Sequence, residues 1–171
     1  MRRLRSAANV DDLRRMARRR LPAGVFDYID GGAEDESALK RNTGSFAAVG
    51  FRPRVLRGLG DLDTSTTLLG RPLAFPLVLA PTGCTRIADP AGELAVVRAA
   101  GRAGIPFTLS TMGTRSIEEC ASVAPAGARL WFQVYAWRDR DLIRAMVERA
   151  AAANFEALCL TVDTAVLGRR E

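Results

Sequence analysis

Three polar residues fall at or near the ends of short apolar runs: Ser110 in TLS, Gln133 in WFQVY and Thr161 in CLT. An amide both donates and accepts and a hydroxyl does either, so this set can pair with the alternating imide edge of a neutral, planar ligand. Another apolar run, LVLA, leads into Pro81, Thr82 and Gly83, where a glycine lets the backbone approach a ring closely. Taken singly, Ser110, Gln133 and Thr161 read more readily as capping or loop residues. Their joint placement at successive run ends favours a shared site, and flavin fits its chemistry. The chain has no histidine, which excludes a Ser-His-Asp triad, a Cys-His pair, a His-ligated zinc and an imidazole base within these residues. Cys84, Cys120 and Cys159 are far apart and lack metal-ligand spacing. We expect reduced thiols in a packed interior, and no metal site.

The runs that carry these residues recur as strand, loop and helix. LVLA (77–80), IPFTLS (105–110), RLWFQVY (129–135) and ALCLTV (157–162) read as buried strands. Between them, Asp89 and Pro90 supply a cap and first turn for a helix running toward Gly104. Ser116 and Glu119 form a capping box for a second helix, which Pro125 ends. Asp139 caps a third, with Leu142, Ile143, Met146, Val147 and Ala150 on one face. The strands begin near residues 77, 105, 130 and 157, a period of about 27 residues that implies parallel strands covered by helices. A doubly wound sheet and a (β/α)8 barrel share that period. APTGCT after the first strand lacks the glycine-rich turn of a dinucleotide-binding unit. In a barrel, by contrast, all the polar strand ends meet on the face where such folds place their chemistry. The expected fold is therefore α/β: strands one to four of a (β/α)8 TIM barrel, an N-terminal half, since a closed barrel takes roughly 200 residues or more.

Residues 1–76 read as a helical cap with a small hairpin, and residues 77–171 as the first four β/α units. Asn9 caps a helix whose first turn holds Asp11 and Asp12 and whose later turns hold arginines, with Leu13, Met16, Ala17 and Leu21 as its buried stripe. Pro22 suits the first turn of a second helix closed by Gly31 and Gly32, and a third covers roughly residues 34–48. TTLLGRPLAF reads as a hairpin turning at Gly70-Arg71. Much of the net charge of +6 lies in Arg2, Arg3 and Arg5 and in Arg14, Arg15, Arg18, Arg19 and Arg20 of the first helix. Nucleic acid or an anionic membrane is one reading. A solvated helix face is the better one, because no aromatic residues interleave to stack bases. No apolar run is long enough to span a membrane, and MRRLRS is followed by Asp11 and Asp12 rather than an apolar signal core. We expect a cytoplasmic protein with no nucleic-acid partner.

Several blocks resemble the FMN-dependent α-hydroxy acid oxidases and dehydrogenases: FDYIDGGAEDE, LAPTG, DPAGE, TLST, WFQVY and LTVDTAVLGRRE. The resemblance runs from the first helix to the last residue. It implies FMN as cofactor, with Pro81, Thr82 and Gly83 approaching the ring by their backbone and Ser110, Gln133 and Thr161 bonding its polar edge. It further implies that Tyr28, Tyr135 and Arg170 face a small 2-hydroxy acid such as lactate or glycolate. Phenols and an arginine suit a carboxylate or developing alkoxide. Without the resemblance, Tyr28 reads as a snorkelling helix residue and Tyr135 as rim packing. Cys84, Met112 and Ala165 depart from the usual family pattern, which touches pocket shape more than the cofactor.

In that family the histidine base, the lysine near the flavin, a substrate arginine and the phosphate loops come from later strands, beyond Glu171. The resemblance thus implies oxidation of an L-2-hydroxy acid to the 2-oxo acid, with oxygen or a carrier as electron acceptor and a homo-oligomeric full-length enzyme. No catalytic residue is assigned within these 171 residues, which alone are expected to be inactive. The alternative is a non-catalytic half-barrel acting by self-association or complementation through unpaired strand edges.

Overall fold

The computed structural model describes residues 6–58, 60–166 and 168–169. The chain forms two compact units, Met1–Arg57 with Val166–Glu171, and Gly58–Ala165.

In the first unit, helix α1 (Val10–Arg20) begins at Asn9, whose side chain accepts from the Asp12 N–H at 2.9 Å. Asp11 and Asp12 sit at its positive end and Arg18 to Arg20 at its negative end, as the helix dipole favours. Helix α2 (Ala23–Asp30) is tied to α1 by a two-pronged Arg14–Asp30 pair and by the Arg18 guanidinium, 5.7 Å from the centroid of the Phe26 ring. Phe26 is the buried residue of these helices. The expected α1 stripe is not buried: Leu13 is exposed, and Met16, Ala17 and Leu21 are half-covered. Among the described residues of this unit only Phe26 is buried, which gives that stripe little to pack against. Pro22 stands at the N-cap of α2 rather than in its first turn, and its carbonyl accepts from Val25 and Phe26. Helix α3 (Ser37–Ala47) starts later than expected, because Glu34 and Glu36 adopt positive φ and interrupt the run.

The second unit opens with strands β1 (Thr66–Leu68) and β2 (Arg71–Leu73), paired antiparallel with Leu68 opposite Arg71. The turn is therefore Leu69-Gly70, one residue earlier than expected. Both residues have positive φ, 51° and 72°, the type I′ geometry that matches strand twist. Three parallel strands follow, β3 (Phe107–Leu109), β4 (Leu130–Tyr135) and β5 (Ala157–Thr161), in that spatial order. Helices α4 (Glu93–Ala103), α5 (Ile117–Ser122) and α6 (Arg140–Ala152) complete the repeats. The Ser116/Glu119 capping box and the Asp139 cap form as expected. Alternate strand residues Leu130, Phe132 and Val134 join Val97, Ile117, Cys120 and Ala150 in the core, and Phe132 meets Phe155 edge to face at 6.3 Å. The other β4 face, Trp131, Gln133 and Tyr135, points away from those helices.

Five sequence expectations change here. Leu77 to Ala80 forms no full strand, only a parallel bridge between Leu79 and Phe107. Leu79 accepts from Thr108 and donates to Pro106; extending that ladder either way needs an N–H at residue 81 or 106, and both are prolines. Helix α4 starts at Glu93 rather than at Pro90, since Asp89 to Gly92 forms a turn in which Gly92 takes φ 54°. Leu142 on α6 is exposed. Strand β5 is not buried: Leu158 is 54% exposed and Leu160 59%, and among the described residues the strand pairs only with β4. Cys159 is likewise exposed and Cys84 half-buried, leaving Cys120 as the one packed thiol among the described residues.

At the N-terminal ends of the strands, Arg129 is buried and bonds Glu156, while its other nitrogens donate to the carbonyls of Leu68, Arg71 and Pro72. Glu156 also accepts from the Trp131 indole at 2.9 Å and pairs with Arg71. Burial pushes the Glu156 carboxyl up, but the Trp131 and Arg129 bonds outweigh it and hold it below the usual range. This network locks the hairpin across the strand bases; removing one partner of such a buried pair typically costs about 3–5 kcal/mol.

Candidate functional site

Ser110, Gln133 and Thr161 meet at the C-terminal ends of β3, β4 and β5. The Gln133 side chain is 2% exposed. Its Oε1 accepts from the Ser110 hydroxyl at 3.2 Å and from the Thr111 N–H at 3.0 Å, and its Nε2 donates to Thr161 Oγ1 at 2.6 Å. The Thr111 hydroxyl donates to the Gln133 carbonyl, and the Met112 N–H donates to Ser110 Oγ at 3.0 Å. The amide is thus oriented from both sides, with its nitrogen toward β5.

The remaining bonding capacity is specific. Gln133 Nε2 keeps one N–H, Thr161 keeps its hydroxyl proton, and Ser110 Oγ keeps a lone pair. Two donors and one acceptor match an imide edge, which offers carbonyl, N–H and carbonyl. The residues present therefore fit the polar edge of a flavin.

The segment after Leu79 docks beside this set. The Cys84 N–H donates to the Met112 carbonyl at 3.0 Å. A Cβ built on Gly83 would lie 3.0 Å from Met112 Cβ and 3.4 Å from Met112 O, so only a glycine brings this backbone so close without displacing the loop after β3. Pro81 and Thr82 are exposed, leaving their backbone open to a ligand. Tyr135 pairs in register with Thr161 and stacks on Trp137, 6.5 Å between centroids and 11° between planes, which fixes its ring at the rim. Tyr28 lies on α2 in the first unit with its side chain 56% exposed. Arg170 lies outside the described residues.

Two contributors had no role assigned from the sequence: Thr111, one of the polar residues after the second strand run, and Glu93, the last residue of DPAGE. Thr111 holds Gln133 through both its backbone and its hydroxyl. Glu93, 1% exposed at the start of α4, accepts from the Thr114 N–H and hydroxyl, each at 2.7 Å. Burial raises its carboxyl, yet the Thr114 N–H and the neighbouring Thr85 and Thr114 hydroxyls outweigh that and hold it below its ordinary value. Its signal was an acidic residue in line with Val97 and Ala100, the spacing of a buried helix face. Among the described residues no cluster could hold a metal ion, and no helix is long and apolar enough to cross a membrane.

The family model described as FMN-dependent dehydrogenase matches residues 17–171. A putative L-lactate dehydrogenase of Mycobacterium tuberculosis is 47% identical over 169 residues, 99% of this chain and 41% of its own length. Spinach (Spinacia oleracea) glycolate oxidase is 44% identical over 163 residues, 95% of this chain and 44% of its own. Among solved structures, a mandelate oxidase superposes with TM-score 0.88 at 41% identity, covering 96% of this chain and 49% of that one. A putative lactate oxidase of Pediococcus acidilactici superposes with TM-score 0.91 at 33% identity, covering 96% and 46%. The chain thus spans under half the length of these relatives. The structural neighbours are TIM-barrel flavoenzymes, so the parallel strands and helices of the second unit form part of such a barrel.

Proposed function

The chain belongs to the FMN-dependent dehydrogenase family, and from that premise we propose that its barrel mouth holds the polar edge of FMN through Ser110, Gln133 and Thr161. The supporting observation is the pre-oriented Gln133 amide, bonded on one side by Ser110 and Thr111 and on the other by Thr161. Pro81, Thr82 and Gly83 approach the ring with backbone groups. When bound, FMN supplies the acceptor for the hydride leaving C2 of a hydroxy acid.

The substrate class is a small L-2-hydroxy acid, as the names of the relatives suggest, and the product is the 2-oxo acid. Tyr135 donates its phenol to the carboxylate or the developing oxyanion, with its ring held by Trp137. Tyr28 and Arg170 take substrate-side roles on the family motif alone. Met112, 52% exposed at the mouth, and Cys84 shape the pocket that selects the acid. The residues of this chain bind and orient but include no histidine to take the hydroxyl proton, so by themselves they do not turn over. In the whole enzyme, oxygen or a carrier reoxidises the flavin, and the enzyme is a homo-oligomer. A reducing, cytoplasmic setting accords with the free thiols.

A second reading has one observation in its favour: β5 exposes Leu158 and Leu160, Val162 follows them exposed, and among the described residues the strand is paired on one side only. On that reading the chain acts by association rather than catalysis.

Mixing the chain with FMN under anaerobic conditions tests the first reading. Weak, saturable quenching of flavin fluorescence is expected, with no bleaching on adding L-lactate or glycolate. Absence of any saturable quenching would sink the binding claim, and substrate-dependent bleaching would sink the claim of no turnover.

A further inference from the structure

Glu93 stands on the helical side of the sheet, removed from the flavin-facing set, yet it is the most deeply buried charge among the described residues. A carboxylate is taken out of water at such a position only when its oxygens are bonded. Both of its oxygens are bonded by one residue: Oε1 accepts from the Thr114 N–H and Oε2 from the Thr114 hydroxyl. Thr114 closes the loop after β3. Within that loop, Thr111 orients the Gln133 amide, Met112 N–H bonds Ser110, and the Met112 carbonyl receives the Cys84 N–H. The segment Ser110 to Thr114 is therefore a hub with three spokes, to Gln133, to the backbone after Gly83, and to Glu93. Two spokes carry the flavin-facing groups, and Glu93 anchors the third at the rigid start of α4.

We infer that Glu93 is a positioning residue, a clamp on Thr114 that sets the orientation of the Gln133 amide and the height of the Gly83 backbone at the barrel mouth. The inference deepens the proposed flavin site and rests on it for its functional consequence. The clamp itself concerns only this chain. Its geometry predicts an unusual substitution pattern. Glu93→Gln keeps an oxygen for the Thr114 N–H, and its amide nitrogen can donate to the Thr114 hydroxyl, so both contacts survive. Glu93→Ala loses both, and Thr114→Val loses one while leaving the helix untouched.

The test records the side-chain NH2 resonances of Gln133 in the flavin-free chain by NMR, alongside FMN titrations. In Glu93→Ala and Thr114→Val the Gln133 resonances should shift or broaden, and FMN affinity should fall by about tenfold in Glu93→Ala, the usual scale for a charged hydrogen-bonded pair. Glu93→Gln should restore both readouts. If Glu93→Ala fails to fold, as circular dichroism would reveal, Thr114→Val carries the test. Unmoved Gln133 resonances in folded Thr114→Val, or failure of Glu93→Gln to restore them, would overturn the clamp. If the unmodified chain binds no FMN while the Gln133 resonances respond as described, the flavin reading fails and the clamp stands.

Discussion

The three thiols show how strongly residue-level chemistry depends on position within one small unit. Cys120 is fully buried on α5, and burial, helped by the nearby Glu93 and Glu119 charges, pushes its pKa up from 9.0 to about 12. Folding therefore favours the protonated form. The stability this contributes is complete below pH 9 and falls as pH rises toward about 12. Cys159 stands exposed on β5, opposite Gln133 in register. With a thiol reagent at neutral pH, Cys159 should label first and Cys120 only on unfolding, as peptide mass mapping over time will follow. Rapid labelling of Cys120 in the native chain would contradict the packing described here.

At the scale of elements, local rules and pairing rules part company. The Ser116/Glu119 box, the Asn9 and Asp139 caps and the Gly104 stop are all legible in the sequence, because each is set by residues within a turn or two of one another. The first strand departs from expectation because ladder formation depends on a partner's N–H groups, and Pro106 sits far along the chain from Leu77. The start of α4 departs because Asp89-Pro90 serves a turn as well as it serves a helix. Strand β5 reads as buried from its apolar residues, but burial depends on what lies on either side, and Leu158 and Leu160 stay more than half exposed. An exposed apolar edge invites pairing. Sedimentation should show concentration-dependent association of the chain, relieved by Leu160→Lys with unchanged circular dichroism. A wild-type chain that stays monomeric at high concentration would remove the association reading.

For the whole molecule, the repeat period alone implies the parallel β/α architecture, since strand starts spaced by about 27 residues admit few other arrangements. The candidate site is legible in its residue types, Ser110, Gln133 and Thr161. The roles of its supports, Thr111 and Glu93, are not, because the bonds that define those roles run between elements. What unites the molecule is the direction of its polar ends: Arg129 and Glu156 close the strand bases, and the amide and hydroxyl set occupies the strand tips. Division of a barrel into a stabilising face and a chemical face accounts for both. Whether Gln133 bonds FMN is decided by comparing FMN affinity of the chain with that of Gln133→Leu, each checked for native folding. The variant should bind about tenfold more weakly, the loss of about 1.4 kcal/mol of hydrogen bonding. Equal affinity in the two folded proteins would contradict it.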